Sequence, residues 1–204
     1  ACFGSNIARL HPLAGIAEET GRHLGLLGRS LINTVSAAKN VGLWTSVKTS
    51  VDSAHLGYLP AHTVLLVATG SQGEPRTALN RLSLNSFRDL QLSPGDTVIF
   101  SSKVIPGNEL AIAALIERLK AMQVDVIDMD NSALPIHASG HPASEELKTM
   151  YQWVQPQCAI PVHGELMHMK ANAKIAKASG VRRQLLGQNG DLFYISPVNG
   201  IRRG

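Results

Sequence analysis

Aromatic residues are scarce, only 4% of the 204 positions. So few Phe, Tyr and Trp argue against a β-sandwich and leave few rings for nucleobase stacking. Cysteine is nearly absent. Cys2 and Cys158 form neither a Cys-x-x-Cys pair nor a disulfide framework, which fits a reducing cytoplasm. Cys158 sits in an apolar run and reads as a small buried hydrophobe. No stretch reaches the ~20 consecutive apolar residues of a membrane span, and no signal-peptide pattern opens the chain. Dense positive charge is missing too. The net charge of +4 is mildly basic, but Arg182-Arg183 and Arg202-Arg203 are the only basic pairs and read first as solvated charges. There is no Walker A loop and no Gly-x-Gly-x-x-Gly, nor an acidic residue at dinucleotide spacing, which argues against a Rossmann-type enzyme.

What is plentiful is Ala, Leu, Val, Ile and Gly, the composition of helices packed on a parallel sheet. The pattern repeats as apolar strand, glycine-containing loop and amphipathic helix. Residues 23–28 (HLGLLG) predict a strand. The segment after it predicts a helix through Leu31, Val35 and Ala38 that stops at Gly42. Residues 43–61 read as an irregular surface connection. A strand is predicted over 62–70, with Pro75 opening the next helix. Strands at 97–102 and 124–129 flank a helix with Asn108 as its N-cap. A helix over 143–155, a strand over 158–162 and a helix ending at Gly180 follow. Residues 188–191 (QNGD) predict a hairpin turn between two short strands. The fold class is therefore α/β, an open and mostly parallel sheet flanked by helices.

The chemistry collects in loops that follow strands and precede helices: Gly28-Arg29-Ser30, Gly70-Ser71-Gln72-Gly73-Glu74, Pro106-Gly107-Asn108, Ser139-Gly140-His141 and His163-Gly164-Glu165. In such sheets ligands bind beyond the carboxyl ends of strands. A helix N-terminus there offers free N–H groups and a positive dipole end, so these loops have phosphate-binding composition. Each has a plainer reading. The Pro106 loop can be turn chemistry alone, Glu74 reads first as a first-turn helix charge, and Arg29 suits packing as well as phosphate. Of the eight histidines, His11, His23, His55, His62 and His168 stand without evident partners. His137 and His141 are four apart in PIHASGHP, but Ser139-Gly140 between them argues against a helical metal pair. Pro142 suits a first helical position, with His141 at the cap. His163 ends an apolar strand beside glycine, which suits either a metal ligand or a packed strand end.

The segments VATGSQGEPRTALNRLS, GDTVIFSSKVIPGNE, IHASGHPASEELK and CAIPVHGELMHMK, in this order, resemble ribonuclease J and its relatives, the β-CASP branch of the metallo-β-lactamase superfamily. FGSNIARL and GRSLINTV look like the start of a β-CASP domain. The resemblance implies a β-CASP domain over 1–130 and a returning segment of the lactamase domain over 131–204. It implies that His141 lies beside the reacting phosphate and that His163 is a zinc ligand. His137, Ser139 and Gly140 would line a phosphate pocket, and Arg29, Ser30, Ser71, Gln72, Gly73 and Glu74 would lie along the RNA path. The implied cofactor is zinc, two ions in the longer protein. The implied partner is single-stranded RNA, cut internally, from a 5′ end, or both. A homo-oligomer of the longer protein is compatible with the resemblance.

One departure matters. The family's main zinc motif, His-x-His-x-Asp-His, has no counterpart here, because no His-x-His occurs. The expectation is that it lies upstream of Ala1. A two-metal site neutralises phosphate and activates water, and one histidine cannot hold it. The 204-residue chain is therefore expected to be inactive alone. The competing reading is a non-catalytic nucleotide- or RNA-binding α/β module.

Overall fold

A computed structural model describes residues 1–44, 50–87 and 90–204. They form two compact units, Ala1–Ser139 and Gly140–Gly204.

In the first unit, α1 (Ile7–Glu19) leads to β1 (His23–Leu27) and α2 (Arg29–Asn40). A short α3 (Ser53–Leu56) precedes β2 (Val64–Ala68) and α4 (Ala78–Ser83). Then come β3 (Thr97–Ile99), α5 (Glu109–Ala121) and β4 (Asp125–Ile127). β1 pairs with β2, and β3 with β4, both in parallel. The backbone of Ala1 and Cys2 joins the two pairs. Cys2 N donates to the Ala68 carbonyl at 3.2 Å, Ala1 N to the Ile99 carbonyl at 2.6 Å, and Ser101 N to the Ala1 carbonyl at 2.9 Å.

The strand alternation sorts two cores. Leu24, Leu26 and Val67 join Leu10, Ala14, Leu31 and Val35 from α1 and α2. Leu27 and Ala68, one residue out of phase, join Leu56, Leu79, Leu115 and Leu119 from α3, α4 and α5. Because successive strand side chains point to opposite faces, both faces of the β1–β2 pair are covered by helices. Leu31, Val35 and Ala38 are all buried, as their spacing predicts.

The second unit contains α6 (Ser144–Val154), β5 (Cys158–Ala159), α7 (Leu166–Ala178), β6 (Arg183–Gln184), β7 (Leu192–Tyr194) and β8 (Gly200–Arg202). β5 and β6 are parallel, and β7 and β8 are antiparallel. Its core is small, Ala159, Ala176 and Val181 with Tyr151 against them. The Tyr151 hydroxyl donates to Asn172 Oδ1 at 2.6 Å, tying α6 to α7. No helix among the described residues is long and apolar enough to cross a membrane.

Several expectations change. The α/β class and the mostly parallel pairing hold, with three of the four strand pairs parallel, but the strands form two-stranded pairs with short registers and not one open sheet. Pro75 does not open a helix. Arg76 is left-handed at φ 62°, so the helix starts at Ala78 with Thr77 as N-cap. Asn108 holds the N-cap position of α5 without a side-chain cap bond, while the Glu109 carboxylate accepts the Gly107 N–H at 2.8 Å. Ala143, not His141, is the N-cap of α6, so Pro142 lies before the helix. Gln188–Asp191 is a turn, closed by Gln188 N on Asp191 Oδ2 at 2.7 Å, but it joins β6 to β7, which do not pair. The hairpin comes later, between β7 and β8.

Within 43–61, residues 45–49 lie outside the described residues, yet the remainder is not all surface. Leu56 is buried and Val51 N bonds the Leu24 carbonyl at 2.8 Å. His11 has partners after all, stacking on Trp44 at 5.0 Å and bonding the Leu43 carbonyl at 2.6 Å. His168 has one as well, since its Nδ1 accepts the Glu165 N–H at 3.3 Å. Cys158 is half-buried, and both cysteines are free thiols. The arginine pairs are partly engaged. Arg203 bonds Asp191 at 2.6 Å, and Arg183 bonds the Asn199 carbonyl at 2.9 Å.

In a chain whose first residue is Ala1, desolvation pushes the amino group there down to about 6 from 8.0. The unfolded chain then binds more protons across that window, so stability rises as pH climbs through it. Urea unfolding at about pH 5.5 and 8.5 should differ by on the order of 1–2 kcal/mol after allowing for partial exposure. N-terminal acetylation should remove this contribution of the Ala1 amino group.

Candidate functional site

The loop after β2 is the most enclosed of the predicted loops. Gly70 and Gly73 have positive φ of 106° and 72°. Ser71 and Gln72 are each only 3% exposed. The Gln72 amide reaches the loop after β3. Its Nε2 donates to the Lys103 carbonyl at 2.9 Å, and its Oε1 accepts the Ile105 N–H at 2.9 Å and Asn108 Nδ2 at 3.4 Å. Glu74 is exposed and folds back to accept the Gln72 N–H at 3.0 Å; because α4 starts only at Ala78, it is not the first-turn helix charge of its plainer reading. Gln72 thus braces two loops against each other. Lys103, Ile105 and Asn108 were not among the predicted site residues, because nothing local in the sequence marks bonds between loops some thirty residues apart.

Arg29 and Ser30 are exposed at the start of α2, beyond Gly28 at φ 125°. A side chain at Gly28 would collide with Thr69, so β1 and β2 approach closely where their loops begin.

The first part of PIHASGHP is held from two sides. Ser101 Oγ donates to the Ile136 carbonyl at 2.7 Å. Arg9 Nη1 donates to the Ser101 carbonyl at 2.7 Å and Nη2 to the Ala138 carbonyl at 2.9 Å. His137 lies between those anchored carbonyls. Its Nδ1 is buried and has no hydrogen-bond partner among the described residues. Burial, with the positive charges of Arg9 and then Lys103, holds the imidazole below the ordinary histidine range, against an opposing contact with the Ser101 backbone. His137 is therefore neutral near pH 7 and faces a positive surround, which suits an anion. Sequence reasoning named His137 but missed Arg9 and Ser101.

In the second unit the structure brings His141 and His163 together. Both are exposed, and their rings stack at 6.3 Å with 16° between planes. His163 is left-handed at φ 62°, a conformation that costs an L-residue roughly 1–2 kcal/mol and gathers at functional sites. A cleft of ≈570 Å³ opens beside it, lined by Val162, Leu166, Met169, Gln188 and Phe193. Zinc needs three or four ligating side chains. Among the described residues no three His, Cys, Asp or Glu side chains come close enough to hold an ion. These residues do not by themselves fit a zinc pair.

A family model described as ribonuclease J, beta-CASP domain, matches residues 1–119. This chain belongs to that family. A second model, described as the Zn-dependent metallo-hydrolase RNA specificity domain, matches residues 135–184, which include both PIHASGHP and the His163 loop. The chain is 42% identical over 195 residues to ribonuclease J of Sinorhizobium meliloti, covering 96% of this chain and 34% of the relative. It is 36% identical over 193 residues to ribonuclease J of Mycolicibacterium smegmatis, covering 93% and 34%. It is 34% identical over 196 residues to ribonuclease J of Thermus thermophilus, covering 95% and 34%. The chain thus spans about a third of the length of the curated relatives it matches.

Two backbone positions of this ribonuclease J-family chain make a contrast. A Cβ at Gly73 would lie 2.6 Å from the Ala111 carbonyl carbon, at a φ that only glycine adopts freely. Gly73→Ala should cost about 2–4 kcal/mol in urea unfolding. His163 has the same backbone hand without need of a glycine's space. His163→Gly should leave stability unchanged or raise it by up to about 1 kcal/mol, and His163→Val should lower it by about 1–2 kcal/mol.

Proposed function

We propose that this chain supplies the RNA-binding surface and part of the active site of a zinc-dependent ribonuclease acting on single-stranded RNA, whether by internal cuts, from a 5′ end, or both. In this reading the β-CASP domain occupies 1–130 and the returning lactamase segment 131–204. The observation that carries it is the stacked pair His141–His163, two exposed imidazoles offered by loops that each precede a helix. The family membership and the RNA-specificity description of 135–184 support it.

His141 stands beside the reacting phosphate and His163 gives one nitrogen to zinc. The remaining zinc ligands are not among the described residues. His137, Ser139 and Gly140 cradle phosphate. Arg29 and Ser30 line the strand's path, and the buried Ser71, Gln72 and Gly73, with Glu74, serve that path by shaping the loop beneath it. With few aromatics, binding is led by phosphate contacts and weakens steeply with salt. The reaction occurs in the cytoplasm.

Alone, the 204-residue chain should bind short RNA at low salt and fail to cleave it with added zinc or manganese. Robust turnover that His141→Ala abolishes would overturn this. Binding that persists in every longer form without cleavage would favour the non-catalytic module. In a longer ribonuclease J chain carrying this sequence, His163→Ala should lose zinc by elemental analysis. His141→Ala should keep zinc and slow cleavage by about 10²–10⁴-fold. Zinc lost from the His141 variant and kept in the His163 variant would reverse the two roles.

A further inference from the structure

We propose that Arg9 is a positioning residue for the His137 loop. Its guanidinium fixes the 136–138 backbone at the end of β3 and so sets where the His137 imidazole stands. Arg9 lies in FGSNIARL, but none of the roles that the resemblance implies falls on it. It sits in the first turn of α1, where Asn6 Oδ1 accepts the Arg9 N–H at 3.2 Å and anchors the backbone that carries the side chain. From that fixed base one guanidinium spans two carbonyls distant in sequence, Ser101 at 2.7 Å and Ala138 at 2.9 Å. The planar fork matters. Two N–H groups at a set spacing hold two acceptors at a set spacing, which a single ammonium cannot do. Ser101 then adds its own bond, from Oγ to the Ile136 carbonyl at 2.7 Å. The backbone is thereby held at Ile136 and at Ala138, on either side of His137, while the ring itself is left with Nδ1 unpartnered among the described residues.

The placement also decides charge. Arg9 exerts the larger effect of two cations on His137, Lys103 being the other, and both oppose protonation of the ring. Removing Arg9 frees the loop and relieves that opposition together. The use of this arrangement for phosphate rests on the function proposed above. The positioning itself does not.

The experiment uses the 204-residue chain with Arg9→Ala, Arg9→Lys and Ser101→Ala. Three readouts are taken: the His137 titration by imidazole NMR, assigned with His137→Gln; the rate of limited proteolysis within 134–140; and inorganic phosphate binding at low salt. In Arg9→Ala, His137 should titrate higher than in the parent chain, cleavage within 134–140 should speed up about tenfold, and phosphate binding should weaken about tenfold, equivalent to roughly 1.4 kcal/mol. Arg9→Lys should keep the low titration yet still show faster cleavage, because charge survives and the fork does not. Ser101→Ala should speed cleavage and leave the Arg9 charge effect in place. If folded Arg9→Ala and Arg9→Lys both match the parent in titration and cleavage, the proposal is wrong. If the parent chain binds no phosphate while the titration and cleavage shift as stated, the function proposed above fails and the positioning role stands.

Discussion

Parallel pairing is the constraint on which the first unit depends. A parallel partner can be reached only by a crossover, and here helices supply it. Helices, the crossovers among them, bury both faces of the β1–β2 pair, so polar groups gather in the loops after the strands. The two-residue strip Ala1–Cys2 extends the constraint by hydrogen bonding to β2 on one side and to the end of β3 on the other. Loops that would be distant in two separate pairs thereby become neighbours. Gln72 can span from one to the other because the strands beneath them have already been set side by side.

The loops are then held by polar side chains and not by apolar burial. Gln72 holds the backbone at 103–105, Ser101 holds Ile136, and Arg9 holds Ser101 and Ala138. Each bond contributes only about 1 kcal/mol net, somewhat more where the donor is charged. Their value lies in direction, since a segment held at two carbonyls leaves the side chain between them little freedom. A loop built this way can present glycine backbone and imidazole to an anion without collapsing onto the core.

How much of this could be read in the sequence follows from the range of each interaction. Local signals are legible, so α2 falls where Leu31, Val35 and Ala38 place it, and α5 starts after Asn108 and buries Leu115 and Leu119. The strands were legible in position but shorter in extent, because pairing partners set their ends. The α1 helix went unread. Pro12 lies inside it, and its buried residues Leu10, Ala14 and Ala17 are partly masked by alanine, which favours helix on any face. The hairpin was placed one turn too early, because whether β6 or β8 takes β7 as partner is not local information. The histidines were legible as a set through the motif order. Their supports, Arg9, Ser101 and Gln72, were not, since each acts through a bond to a backbone carbonyl or amide far along the chain.

The second unit shows why a strained residue can persist there. Its core is alanine-rich, and α6 buries no residue fully, so little stability is in hand to offset a left-handed His163. Yet the strain is local and the alternatives are few. Pro161 precedes the position, Gly164 follows it, and α7 is capped only two residues on by Glu165 with His168. Proline restricts the approach, and the cap fixes the departure. Between them the chain has one short span in which to turn from β5 into α7, and a positive φ at His163 makes that turn. The same backbone hand sends its imidazole outward beside His141 rather than into the small core. A glycine there would relax the turn and lose the ring.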